Sequence, residues 1–570
     1  MRGVIEMKRS GKKVFALLLS MVMACSMLAG CSGVYTENEN RKDALSYDDA
    51  QKELKALMSK VTVKKVSEPV LDIYSDEVSE KDTLADIDTF PITVKGDGQV
   101  VVEIAAATEF SADAPDDWLN IVARNFNKAK YKTSSGKTIG ISVRKMASGE
   151  VVTYVRAGAY PDINCFIPSN DAWGKMLEAS GIGINKVTDR IAGNTAGVLM
   201  EKSVYNKFIE KYQNATIDNV LKAANAGDIT FAYTNPYTSS TGLNILTAML
   251  KAFDPEDPLS TKASEALLEY QKSAPPVAYT TAVLRNQAKK GLITAMVMEE
   301  QAYINTPELK SYTYFPVGIR HDHPVYSFDW NDEDQNEAIE LFTEYCLNSE
   351  NQKLATEKGF NRHDDYKSQD SGLTGTGYLS AQTTWKQNKN GGKPVIAVFV
   401  ADVSGSMRGE PLSSLQSSMV NASSYIGSEH YVGLVSYATN VTVNLPIEQF
   451  DAKQRAYFSG EVKNLSAGGN TATYDAVLVA LDMIEKKMEE IPDAKPLIFV
   501  LTDGDQNEGF SLNRITGIVG GLQVPVYSIA YNYSNTSDLD TLSKINEATT
   551  IKADTDDVVN QLRNLFNVQM

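Results

Sequence analysis

The chain has 570 residues, of which 43% are hydrophobic, and a net charge of −17. Residues 1–30 hold five basic residues and one acidic residue, so the rest of the chain is still more acidic, near −21. That balance argues against nucleic acid or an anionic membrane surface as the main partner, because both require basic patches.

Lys8, Arg9, Lys12 and Lys13 precede a short apolar run from Val14, and Leu28-Ala29-Gly30-Cys31 follows it. A basic region, a short apolar region and a small-residue exit are the parts of a secretory signal. The Leu-Ala-Gly-Cys segment resembles the bacterial lipobox, which implies lipidation of Cys31 and attachment to the outer face of the cell membrane. Residues 31–95 are polar and charged, with one helix expected over Tyr47 to Lys60, and read as a tether with little core of its own. After Cys31 only Cys165 and Cys346 remain, which suits buried single thiols or a pair in an oxidising compartment.

Residues 96–362 alternate short apolar strands and helices over a length suited to two lobes. Strands are expected at Val100 to Ala107, Ile139 to Val143 and Asp162 to Ile167, with a helix from Trp118 to Phe126. Ile191 to Met200 is expected to enter a second lobe and Leu292 to Met298 to return. Tyr160-Pro161-Asp162-Ile163, Gly227-Asp228-Ile229-Thr230, Tyr233-Thr234-Asn235-Pro236 and Asn351-Gln352-Lys353-Leu354-Ala355 resemble the extracellular solute-binding proteins of bacterial ABC importers. That resemblance implies a bilobed, periplasmic-binding-protein-like domain. Ser239-Ser240-Thr241-Gly242 opens an apolar helix, where hydroxyls and free N–H groups suit either an anion or a plain helix cap. Thr108, Ser111 and Ser169 are expected to line the facing lobe. Glu299-Glu300 is compatible with the cleft or with a solvated helix face. His321 and His323 lie close together, a weak metal signal by themselves.

Residues 363–392, rich in Ser, Thr, Gly, Asn and Gln, read as a linker on which Trp385 docks against a neighbouring domain.

From residue 393 the pattern sharpens. Val395 to Ala401 is a continuous apolar run, as in a strand buried on both faces of a parallel sheet. It ends in Asp402-Val403-Ser404-Gly405-Ser406, which presents a carboxylate and two hydroxyls on one loop. Leu497 to Thr502 repeats the buried-strand pattern and ends in Asp503. Between them Gly468-Gly469-Asn470-Thr471 leads into a helix with Val477, Leu478, Leu481, Ile484 and Met488 at helical spacing. Strand ends on one rim of an open α/β sheet are where such folds bind ligands. These hard oxygen donors suit Mg²⁺ or Mn²⁺.

Residues 393–570 therefore resemble a von Willebrand factor A (vWA) domain, a doubly wound Rossmann-like fold with a metal-ion-dependent adhesion site. The resemblance implies that Ser404, Ser406 and Thr471 coordinate the ion, that Asp402 and Asp503 act through bound water, and that a protein ligand supplies an acidic side chain. A first helix is expected around Leu412 to Ala422, an edge hairpin from Tyr431 to Leu445, a core strand at Val524 to Tyr531 and a closing helix at Val558 to Phe566. With no nucleophile–base motif in the chain, the expectation is a binding protein, not an enzyme. The alternative within that class is a solute receptor of an ABC importer with an accessory vWA docking domain.

Overall fold

The computed structural model describes residues 44–570 except 73–80, 82–83, 274–276, 279–283, 286–287, 289–292, 532–534, 547, 549 and 554–557. The signal segment and Cys31 lie outside the described residues, and no helix among those described is long and apolar enough to cross a membrane.

Among the described residues the strands form three sheets. The seven-stranded sheet is centred on Val395–Asp402, an eight-residue strand buried along its whole length. It pairs in parallel with Tyr431–Tyr437 on one side and Lys495–Thr502 on the other, and Val526–Tyr531 and Thr550–Ala553 extend the latter side. Burial on both faces explains the unbroken apolar runs: one face packs on Thr473–Glu490 and Leu512–Leu522, the other on Glu410–Ser423 and Val558–Gln569. Tyr431–Tyr437 and Val441–Gln449 form the expected antiparallel hairpin.

That hairpin is not the edge of the sheet. Val63–Lys65 pairs in parallel with Val441–Val443 and becomes the outer strand. The helix Tyr47–Met58 before it buries Ala50, Leu54 and Leu57, an i, i+4, i+7 stripe. They face Leu512–Leu522, where Gly521 permits the close approach, since a Cβ there would lie 2.7 Å from both the Ala50 Cβ and the Leu45 carbonyl oxygen. Val70 N–H then donates to Glu461 and Asp72 N–H to the Ala456 carbonyl. The described part of the expected tether up to Asp72 is thus a built portion of the C-terminal domain. The solute-binding-like domain is inserted after it, and Ile92–Val94 already belongs to that inserted domain.

The inserted domain has two lobes. The first is a six-stranded sheet in the order Ile92–Val94, Ile139–Lys145, Val100–Ala106, Cys165–Ile167, Val325–Phe328, Ile184–Thr188. The second is a five-stranded sheet in the order Tyr312–Arg320, Thr195–Glu201, Ala295–Glu299, Phe231–Thr234, Val277–Ala278. The chain enters the second lobe between Thr188 and Thr195, as expected. It does not return at Leu292 to Met298: Ala295–Glu299 stays in the second sheet, antiparallel to Thr195–Glu201. The return is His321-Asp322-His323-Pro324, too polar to read as a buried strand. The two crossings are tied together by His321 N–H to the Asn194 carbonyl and Ile191 N–H to the His323 carbonyl.

Residues 363–392 are also more than a linker. Gly375–Asn388 is a helix that buries Tyr378 and Trp385 and packs on Ala172–Ala179 of the first lobe and on Ser240–Phe253 and Thr261–Gln271 of the second. Cys165 and Cys346 are free, buried thiols in the first-lobe core.

Candidate metal centre and inter-lobe cleft

The strand Val395–Asp402 delivers Asp402 to the rim fully buried, and Lys495–Thr502 delivers Asp503 beside it. Asp402 Oδ1 accepts the Ser404 N–H at 2.8 Å, which folds the loop back over the strand end. The Ser404 and Ser406 hydroxyls lie 3.0 Å apart, and Ser406 donates to Asp503 Oδ1 at 2.8 Å. The remaining oxygen of Asp402 is held by the Thr502 hydroxyl at 2.6 Å and, more loosely, by the Tyr437 hydroxyl at 3.4 Å. Neither Thr502 nor Tyr437 stands out in the sequence, because each looks like an ordinary strand residue.

The third loop is fastened to the first two. Gly405 N–H donates to the Gly469 carbonyl at 3.0 Å and Gly468 N–H to the Val403 carbonyl at 2.8 Å. The N–H of Thr471, itself buried, donates to the Asn507 side chain at 2.8 Å. The structure therefore gathers Asp402, Ser404, Ser406 and Asp503 in one bonded chain and ties the Thr471 loop to it.

Burial raises both carboxyls above their ordinary range, against the hydrogen bonds from Thr502 and Ser404 to Asp402 and from Ser406 to Asp503. A buried and a half-buried carboxylate beside neutral hydroxyls form a donor set that a hard divalent cation fits. Beside the rim is a pocket of about 250 Å³ lined by Val403, Ser436, Ala438, Thr439, Gly468 and the N-terminal Lys64.

The hydroxyls expected to hold an anion in the other domain are mostly engaged elsewhere. Thr108 is exposed. Ser111 is buried and donates to the carbonyls of Ala106 and Ala107. Ser239 is the cap of Ser240–Phe253, accepting from Gly242 N–H, and Ser240 accepts the Trp173 indole N–H at 2.8 Å. Thr241 donates to Glu299 at 2.6 Å, so a carboxylate already meets this helix start. Ser169 is buried beside Glu109, a second carboxylate. Glu299 and Glu300 are 6% and 5% exposed, which removes the solvated-face alternative. A cleft lined by carboxylates disfavours an oxyanion.

The family model for the von Willebrand factor type A domain matches residues 397–567, and that for bacterial extracellular solute-binding proteins matches residues 108–361. The chain carries an extracellular solute-binding domain and a VWA domain. The VWA portion is similar to mouse inter-alpha-trypsin inhibitor heavy chain H3, 28% identical over 168 residues that make up 27% of this chain and 18% of that protein. This chain thus spans under a fifth of the length of that curated relative. Among solved structures, the sulfate-binding protein SubI from Mycobacterium tuberculosis is similar over 47% of this chain and 88% of its own, at 14% identity and a TM-score of 0.34. A von Willebrand factor type A protein from Catenulispora acidiphila is similar over 31% of this chain and 42% of its own, at 17% identity and a TM-score of 0.28.

Proposed function

We propose that this protein is a lipid-anchored, extracytoplasmic bacterial binding protein. In this reading its VWA domain grips a protein partner through a divalent ion, Mg²⁺ or Mn²⁺. The supporting observation is the bonded chain Asp402–Ser404–Ser406–Asp503 across two adjacent strand ends. Ser404, Ser406 and Thr471 would hold the ion, and Asp402 and Asp503 would orient its water. A bound divalent ion on neutral hydroxyls keeps enough positive charge to accept a carboxylate from a partner's Asp or Glu. The chain's own residues supply the rest: Thr502 and Tyr437 fix Asp402, and the rim pocket gives the partner a surface. The role is binding, not catalysis, and Cys31 is the anchor.

The test is capture of surface proteins from the producing organism by the immobilised chain. Binding in Mg²⁺, release by EDTA and loss in Asp402→Ala are expected; capture that persists in EDTA and in Asp402→Ala would overturn the reading. Membrane retention of a Cys31→Ser chain at unchanged mass would overturn the anchor.

A second reading, a solute receptor with an accessory VWA docking domain, is favoured by the closed contacts between the lobes. Trp173 of the first lobe donates to Ser240 of the second, and Gln301 of the second donates to Asp116 of the first at 2.9 Å.

A further inference from the structure

The inter-lobe cleft holds a second group of ligand-type side chains, separate from the VWA rim. Glu109 follows the first-lobe strand Val100–Ala106, Glu299 ends the second-lobe strand Ala295–Glu299, and His321 sits on the return crossing. One ligand atom from each lies within 4.8 Å of the other two. All three are inside the protein: His321 is 0% and Glu299 6% exposed, and the Glu109 side chain is 8% exposed.

The bonding within this cluster is incomplete. His321 Nε2 lies 3.1 Å from the Asn170 amide nitrogen, which leaves Nδ1 to face Glu299 Oε1 at 3.5 Å. Nδ1 has no hydrogen-bond partner among the described residues. Glu299 receives the neutral Thr241 hydroxyl, which brings no charge. Glu109 is served by His323 Nε2 at 3.0 Å, while His323 Nδ1 must donate to the Ala192 carbonyl at 2.8 Å. His323 thus lies against Glu109, and His363 meets the neighbouring Glu300 at 2.8 Å. Among the described residues, the negative charge of Glu299 has no cationic partner at hydrogen-bond distance. A buried carboxylate in that position is costly unless it is paired or coordinates a metal.

We propose that Glu109, Glu299 and His321 form an inter-lobe site for a divalent transition cation, with Zn²⁺ as the probe of choice. One imidazole with two carboxylates favours such an ion over Mg²⁺ or Ca²⁺, which take all-oxygen shells. Three protein ligands leave a fourth position for water or a solute donor. His323, Thr241 and Asn170 are the positioning residues that fix Glu109, Glu299 and His321. On binding, the ring changes tautomer through solvent: Nδ1 releases its proton to solvent and Nε2 takes one up, so the imidazole stays neutral. The Asn170 amide then turns over to accept from Nε2–H and gives up its 3.1 Å bond from Ala172 N–H. Because the ligands come from both lobes and the crossing between them, the ion ties the lobes together.

The test uses the full chain with Asp402→Ala, so that the VWA rim does not contribute. Chelator-treated protein is equilibrated with Zn²⁺ in excess Mg²⁺, desalted and analysed for metal. One equivalent of Zn²⁺ per chain is expected. Adding Glu299→Gln, which preserves size and the Thr241 bond, or His321→Ala should abolish retention, with metal-free unfolding midpoints confirming that each variant is folded. Asn170→Asp accepts from both Ala172 N–H and Nε2–H, and should tighten Zn²⁺ by about 10-fold, the size of such outer-shell effects. No retained Zn²⁺ in the Asp402→Ala chain, or undiminished retention in Glu299→Gln and His321→Ala, would overturn the proposal. Unchanged affinity in Asn170→Asp would count against His321 as a ligand.

Discussion

Val63 pairs with Val441 in parallel register, so the N-terminal part of the chain is the outer strand of the sheet that carries the Asp402 rim. The helix before that strand seats Leu54 and Leu57, 2% and 1% exposed, against the VWA core. Leu54→Ala or Leu57→Ala should therefore destabilise the VWA domain by about 2–5 kcal/mol, the cost of truncating a buried leucine. Chemical unfolding followed by a VWA-specific probe reads this directly. A change near zero would restore the segment to a tether.

Trp385 makes the equivalent point for the helix Gly375–Asn388. Its indole N–H donates to the Tyr233 hydroxyl at 2.9 Å, and the ring is fully buried. Trp385→Ala should cost about 3–5 kcal/mol in the stability of the bilobed domain. Truncation of the chain before Gly375 should lower its melting temperature as well. An unchanged denaturation midpoint in Trp385→Ala would mean that the helix is a passive connection.

The Asp402 rim is legible in the sequence because three local signals coincide: two apolar runs that each end in Asp, and a Gly-Gly-Asn-Thr loop opening an amphipathic helix. Buried parallel strands write themselves as unbroken apolar stretches, so the order of the VWA core was readable. The membership of residues 47–72 was not, because Val63–Lys65 is a three-residue strand, too short to show a period. The return crossing was missed for the opposite reason: His321 to Pro324 is polar although both histidines are fully buried. Glu109 carries no local signal at all. It meets Glu299 and His321 only because the two lobes close.

Thr502 should prove as important as the residues of the motif. Its hydroxyl is the shortest bond to Asp402, at 2.6 Å, and both groups are buried. Thr502→Val keeps the shape of the strand and leaves the carboxylate without that donor. Losing a hydrogen bond to a buried charged group should cost about 1–3 kcal/mol of stability. Divalent-ion affinity should fall about 10-fold or more, as for other outer-shell partners. Calorimetric titration with Mn²⁺ gives both the affinity and its change.

Acid should loosen the core beside the domain junction through His430. Its Nδ1 accepts the Val395 N–H at 3.2 Å and its Nε2 donates to the Met570 carbonyl at 2.7 Å, so the neutral ring satisfies both. Burial lowers its pKa below the ordinary 6.5, helped by Lys389 and Lys386 and opposed by Glu429 and the Met570 carbonyl. A base with a depressed folded-state pKa binds fewer protons folded than unfolded. Its contribution is therefore complete above about pH 6.5 and is lost as the pH falls toward the folded value. Melting temperature measured against pH should drop on the acid side, and His430→Gln should flatten that slope. An identical slope in both proteins would assign the acid sensitivity to other groups.

The central claim, a divalent ion on the VWA rim, is tested most directly by Mn²⁺ titration followed by electron paramagnetic resonance, since bound Mn²⁺ loses the free-ion signal. The titration is run in the Glu299→Gln chain, so that the inter-lobe cleft does not contribute. One bound Mn²⁺ per chain is predicted, displaced by Mg²⁺ and absent when Asp402→Ala is added. Equal Mn²⁺ binding with and without Asp402→Ala would contradict the account.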